Sequence, residues 1–122
     1  MDLFKPKKNR IGNVGVQDIQ FVGEQSGTAE NELKQQLNKV LAKYPAVRTS
    51  YLSQVIYEPG SSPAVALCLA GATADQKLLK DINNIFAIMF NKQQYLDIIF
   101  VNEIQEIKLR EVCHPFYCRK SV

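Results

Sequence analysis

The sequence has no tryptophan, a single histidine, two methionines and three cysteines in 122 residues. One histidine means that any Ser–His–Asp or Cys–His machinery would have to use His114. Three cysteines cannot all pair within one chain, and Cys68 sits in an apolar run where a thiol behaves as a small hydrophobe. That usage points to a reduced, cytoplasmic protein. Long apolar stretches are also missing. The longest, Ala64–Ala72, is interrupted by a glycine, and a membrane helix needs about 20 residues. Met1–Arg10 lacks the apolar centre of a secretory signal, and there is no Asn-x-Ser/Thr sequon. Neither G-x-x-x-x-G-K-[ST] nor G-x-G-x-x-G occurs, so there is no sequence for the usual phosphate-cradling loops.

What is present is ordinary globular material: 46% hydrophobic and 22% charged residues. The length fits one domain, too short for a TIM barrel or a complete dinucleotide-binding sheet. A chain of this size buries roughly 65% of its unfolded surface, enough to fold without a disulfide or metal. The formal net charge is +3, and its placement matters more than its size. Lys5, Lys7, Lys8 and Arg10 crowd the first ten residues, whereas between Ile11 and Cys118 acidic side chains outnumber basic ones. A nucleic-acid binder carries its positive charge on the folded face that follows the phosphates. The expectation is therefore a flexible basic segment over 1–15, one domain over 16–122, and no nucleic-acid or membrane partner.

Local patterns predict the elements. Gln17–Val22 reads as a short strand. Thr28 is a fair N-cap for a helix carrying Leu33, Leu37, Val40, Leu41 and Tyr44 at helical spacing, stopped by Pro45. Val47–Tyr57 is rich in Val, Ile, Tyr and Thr and reads as a long strand. Glu58–Pro63 is the clearest turn, and Ala64–Ala70 reads as a central strand antiparallel to the one before. Thr73 or Asp75 starts a second helix lined by Leu78, Leu79, Ile82, Ile85, Phe86 and Met89. Tyr95–Val101 is a further strand. Asn102–Cys113 forms a short helix with Ile104, Ile107 and Val112 predicted to face inward, ended by Pro115. The fold class is α+β in the ferredoxin-like β-α-β-β-α-β order: an antiparallel sheet of about four strands, helices on one face, and a short C-terminal helix.

Candidate chemistry is thin. Cys113 and His114 are adjacent and so aim apart, and the ordinary reading of His114 is a packing or capping residue. Cys113, His114 and Cys118 fit only the loose end of zinc-ligand spacing, with Cys68 expected in the core. Gly12-Asn13-Val14-Gly15 precedes a strand, unlike the loop that joins two helices in a KH domain. Glu103 and Glu106 read as a solvated face, and Asp97 as an edge or open-face carboxylate. No catalytic, cofactor or metal residue is assigned, and the expectation is a protein that is not an enzyme. A sheet with helices on one face leaves the other for a partner or an added segment. Tyr51 and Tyr57 share a face of the long strand and suit partner contact, and His114, Phe116 and Tyr117 join them as candidate contact residues. The competing expectation is that the terminal helix and the Phe116-Tyr117 pair fold back to fill that face.

The run Lys43-Tyr44-Pro45-Ala46-Val47-Arg48-Thr49-Ser50-Tyr51-Leu52-Ser53-Gln54-Val55 resembles the core motif of the SseB C-terminal domain family, named for enhanced serine sensitivity. Phe21-Val22-Gly23-Glu24, the apolar strand Pro63–Ala70 and the ending Pro115-Phe116-Tyr117 are similar to that family's flanking motifs, in the same order, over about residues 19–118. Gln25, Ser50 and His114 depart from the residues common there. The resemblance implies the fold and a standalone copy of a domain that usually follows another, and it carries over no catalytic residues. The resulting expectation is a module that docks another protein. One such partner is a bacterial toxin that it neutralises as an immunity protein; another is an enzyme of serine or amino-acid metabolism that it regulates. An amino-acid sensor, with the ligand between sheet and terminal helix, is the alternative from a different class. Oligomeric state is left open, a homodimer through an edge strand included.

Overall fold

The computed structural model describes residues 19–71, 75–90 and 96–119. The basic segment 1–15, the Gly12–Gly15 string, Thr73 and Tyr95 lie outside them. Eight elements follow in order: β1 (Gln20–Glu24), α1 (Thr28–Leu41), β2 (Thr49–Ile56), β3 (Ala64–Ala70), α2 (Gln76–Met89), β4 (Asp97–Val101), α3 (Glu103–Arg110) and β5 (Tyr117–Cys118). The α+β class, the β-α-β-β-α-β order and the short final helix match the expectation.

Helix α1 forms because Leu33, Leu37, Val40 and Leu41 fall on one face and are buried there. Its N-cap is Gly27, one residue before Thr28. Its end is closed from afar: Arg119 Nη2 donates to the carbonyls of Ala42 and Tyr44, both at 3.2 Å. Helix α2 starts at Asp75, whose carboxylate accepts from the backbone N–H of Lys77 and Leu78. It buries Leu78, Ile82 and Phe86. The two helices cover one face of the sheet over Leu52, Val65, Leu67, Leu69 and Ile98.

The strands lie in the order β1-β2-β3-β4, with β5 on β2. Strand β2 is antiparallel to β1, β3 and β5, which take different parts of its two edges. The β3–β4 pair is parallel, so the sheet is mixed where a wholly antiparallel one was expected. The cause is α2: it carries the chain from the end of β3 back across the sheet, and a strand reached by such a crossover runs in the starting direction.

The other face is not open. Strand β3 places Val65, Leu67 and Leu69 toward α1 and α2, and Ala64, Ala66, Cys68 and Ala70 on the reverse side. Those small side chains leave room for Tyr51, Tyr57 and Leu109 of α3 in a second core. The two main helices share one face, as expected, and the short terminal helix α3 lies on the other. Helix α3 is rotated relative to the expectation. Gln105, Glu106 and Leu109 face inward, while Ile104 is 69% and Ile107 64% exposed and Val112 is exposed as well.

Candidate docking surface

The rotation of α3 has a local and a distant cause. Asn102 opens the helix with a reciprocal capping box: its side chain accepts from Gln105 N–H, and the Gln105 side chain accepts from Asn102 N–H, both at 2.8 Å. That places Gln105 against the fold. Glu106 follows it inward because donors await it there.

Glu106 Oε1 accepts from Arg48 Nη2 at 2.6 Å. Its Oε2 accepts from the Tyr51 hydroxyl at 2.7 Å and from Arg110 Nη2 at 3.2 Å. Arg110 Nε donates to the Tyr51 hydroxyl at 2.8 Å, closing the ring. Burial by itself pushes the Glu106 carboxyl up, but the hydrogen bonds from Tyr51 and Arg48 and the two arginine charges outweigh it, and the group is held below the ordinary carboxylate range. Tyr51 is pushed up to about 12, by burial first and then by the carboxylate beside it. A carboxylate in this setting is a paired, charged anchor and not a proton donor near neutrality. Glu106 is therefore not the solvated surface residue expected from its place on a short helix.

Asp97, expected at an open position, is buried and accepts from the Tyr57 hydroxyl at 2.7 Å. Burial raises the Cys68 thiol, and raises Cys113 to about 11. Cys113 Sγ donates to the Leu52 carbonyl. His114 points away from it: its side chain is 95% exposed, with Nδ1 3.4 Å from Glu24 Oε1. Cys118 pairs through its backbone with Thr49. Among the described residues no group of three or more His, Cys, Asp and Glu side chains comes together in metal-binding geometry.

The five expected contact residues do not share a surface. Tyr51 is 0% exposed beneath α3 and Tyr57 is 7% exposed in the same second core, bonded to Asp97, so the expectation of an open tyrosine face is corrected. The competing expectation is met in part: the terminal helix covers that face, but Phe116 and Tyr117, half-buried, pack against the α1–α2 core instead. His114 lies on the surface beside Glu24. The surface that does emerge is built on α3. It consists of Ile104 and Ile107, with the half-exposed Arg48 and Arg110 at one end. The one local sign of it was the i, i+4 pair Glu106–Arg110; Arg48 is far away in sequence. Elsewhere, a concave surface of about 460 Å³ lies between α1 and α2 and is lined by Glu32, Gln35, Gln36, Ile85, Ile88 and Met89.

No helix among the described residues is long and apolar enough to cross a membrane. No curated protein and no solved structure gives a match. The family model described as SseB protein C-terminal domain matches residues 27–119, from the N-cap of α1 through β5. The chain belongs to the SseB C-terminal domain family.

Proposed function

We propose that this domain works by docking a partner protein, without catalysis, through the outer face of α3. The observation that carries the reading is the exposure of Ile104 and Ile107 on a helix whose polar residues Gln105 and Glu106 face inward. The capping box and the Glu106 ring turn the two isoleucines outward, where they stand as uncovered apolar surface among the described residues. Exposed apolar side chains beside arginines are characteristic of protein interfaces.

The partner in this proposal is a toxin that the domain neutralises as an immunity protein, a task that needs a shaped surface and no reactive group. A metabolic enzyme is the other partner such a surface would serve. The amino-acid sensor has less support, because the space assigned to its ligand is filled by Tyr51, Ala66, Cys68 and Leu109.

The test is co-expression with the product of the adjacent gene. The expected result is a stable complex with nanomolar affinity, relief of that product's toxicity, and loss of both on Ile104→Asp or Ile107→Asp. A complex that ignores both substitutions, or turnover by the purified domain that disappears on His114→Ala, overturns the reading. A thermal-shift screen against amino acids, serine included, addresses the sensor: a rise in melting temperature at millimolar ligand favours it by mass action.

A further inference from the structure

Arg48 precedes β2 and Arg110 ends α3, 62 positions later in the sequence, yet both guanidinium groups are held on one carboxylate. The holding residues, Glu106 and Tyr51, are buried. The held ones are 53% and 57% exposed. A guanidinium is a planar fork of N–H donors. Arg48 directs Nη2 inward, and Arg110 directs Nε and one Nη2 contact inward. Their remaining N–H groups have no other partner among the described residues. Two positive charges around one negative charge leave the spot cationic.

Arg48 and the Tyr51 hydroxyl already give each Glu106 oxygen a donor. Arg110 adds a second fork beside the first, both already fixed in place, so an incoming acceptor does not have to order two long side chains. Ile104, Ile107 and Arg110 follow one another at i, i+3 spacing, one ridge of the helix, which sets the guanidinium beside exposed apolar surface. Beside the exposed Lys108, two exposed carboxylates flank this surface, Glu103 on α3 and Glu111 at its C-cap. They repel negative charge placed off the arginines, which fixes register and disfavours a nucleic acid or an anionic membrane, each of which presents many phosphates.

Resting on the docking reading above, we propose that Arg48 and Arg110 form a clamp for a single carboxylate of the partner protein: an aspartate or glutamate side chain next to a large apolar residue, the latter seated on Ile104 and Ile107. Glu106 and Tyr51 are positioning residues for the clamp.

The test selects binders from a displayed library of random linear peptides, using the whole chain as bait, and measures synthesised binders by fluorescence anisotropy. The expected consensus has one acidic residue beside an apolar one. Replacing that acid by its amide should weaken binding about tenfold or more, as should Arg48→Gln in the domain. Arg110→Lys, which keeps charge and loses the fork, should give an intermediate loss, and both variants should keep the parent's circular dichroism. If either variant loses its fold, Ile107→Asp together with the amide-substituted peptide on the parent chain decides the matter. Binders that need Ile107 but carry no acid overturn the clamp and leave the docking reading standing. If no peptide binds, the clamp falls and the docking reading rests on the co-expression test; if binding ignores Ile107→Asp, both fall. Competition by inorganic phosphate as strong as by the acidic peptide marks a small-anion site and overturns the clamp.

Discussion

The hydroxyl of Tyr51, the third residue of β2, donates to the carboxylate of Glu106 on α3 at 2.7 Å, and both residues are buried. This contact fastens the helix to the sheet across the second core. Removing the hydroxyl leaves a buried carboxylate short of a donor and leaves Arg110 Nε without its acceptor. Tyr51→Phe should therefore cost about 1–3 kcal/mol, read from the shift in the urea midpoint at constant slope. A change within experimental scatter would show that α3 is held by its apolar contacts alone.

The pH dependence has a definite sign at each end. Glu106 has its folded carboxyl depressed, as does Glu24, chiefly through the His114 backbone N–H. Their contribution is present above the ordinary glutamate value of about 4.3 and is lost as pH falls through the lower folded values. Tyr51 is raised to about 12, so its neutral form is favoured by folding. That contribution is full below the ordinary tyrosine value of about 10 and is lost as pH rises toward 12. Unfolding free energies measured across pH should fall at both ends, and Glu106→Gln should flatten the acid limb.

The small side chains on the reverse face of β3 set the clearance for α3. Ala66 is fully buried there, paired with Ser53 on one side and Asp97 on the other. Ala66→Leu adds volume that the second core cannot accept and should destabilise by about 1–3 kcal/mol. Leu67→Ala, one residue along and facing α1 and α2, should cost about 2–5 kcal/mol through a cavity. Limited proteolysis should distinguish them, with Ala66→Leu exposing α3 first.

Gly71 follows β3 with φ +92°, a left-handed conformation, and a Cβ there would lie 2.8 Å from the Ala46 carbonyl and 2.9 Å from Arg48 Cβ. Gly71→Ala combines the left-handed cost of about 1–2 kcal/mol with a backbone clash. It should lower the melting temperature and weaken partner binding together, because the clash falls on the residue that carries one arm of the clamp. Intact binding with reduced stability would separate the two.

Much of the architecture is visible in local patterns. The leucine spacing of α1, the Asp75 cap of α2 and the unbroken apolar run of β3 each follow from interactions within a few residues. The face that α3 presents does not. In a helix of eight residues, Ile104 and Ile107 define as plausible a buried stripe as Gln105, Glu106 and Leu109. The choice is made by Arg48 and Tyr51, 58 and 55 positions away from Glu106. The same distance hid the Tyr57–Asp97 bond, 40 positions apart. The direction of β4 was hidden for another reason: strand periodicity is identical in parallel and antiparallel pairs, so only the path of the connection decides. Tyr51 and Tyr57 share a face, as the strand period predicts, and the burial of Tyr51 comes from α3, which no local pattern announces.

Arg119 reaches the carbonyl of Val47 from 72 positions downstream, and β5 completes the edge of β2 at Thr49 and Ser50. During synthesis, Thr49 and Ser50 leave the ribosome long before Tyr117 and Cys118 do. Until then the carbonyls at the close of α1 and that stretch of strand must be served by water, or by whatever nascent neighbour arrives first. The interval is a window for mispairing that closes only when this late segment docks.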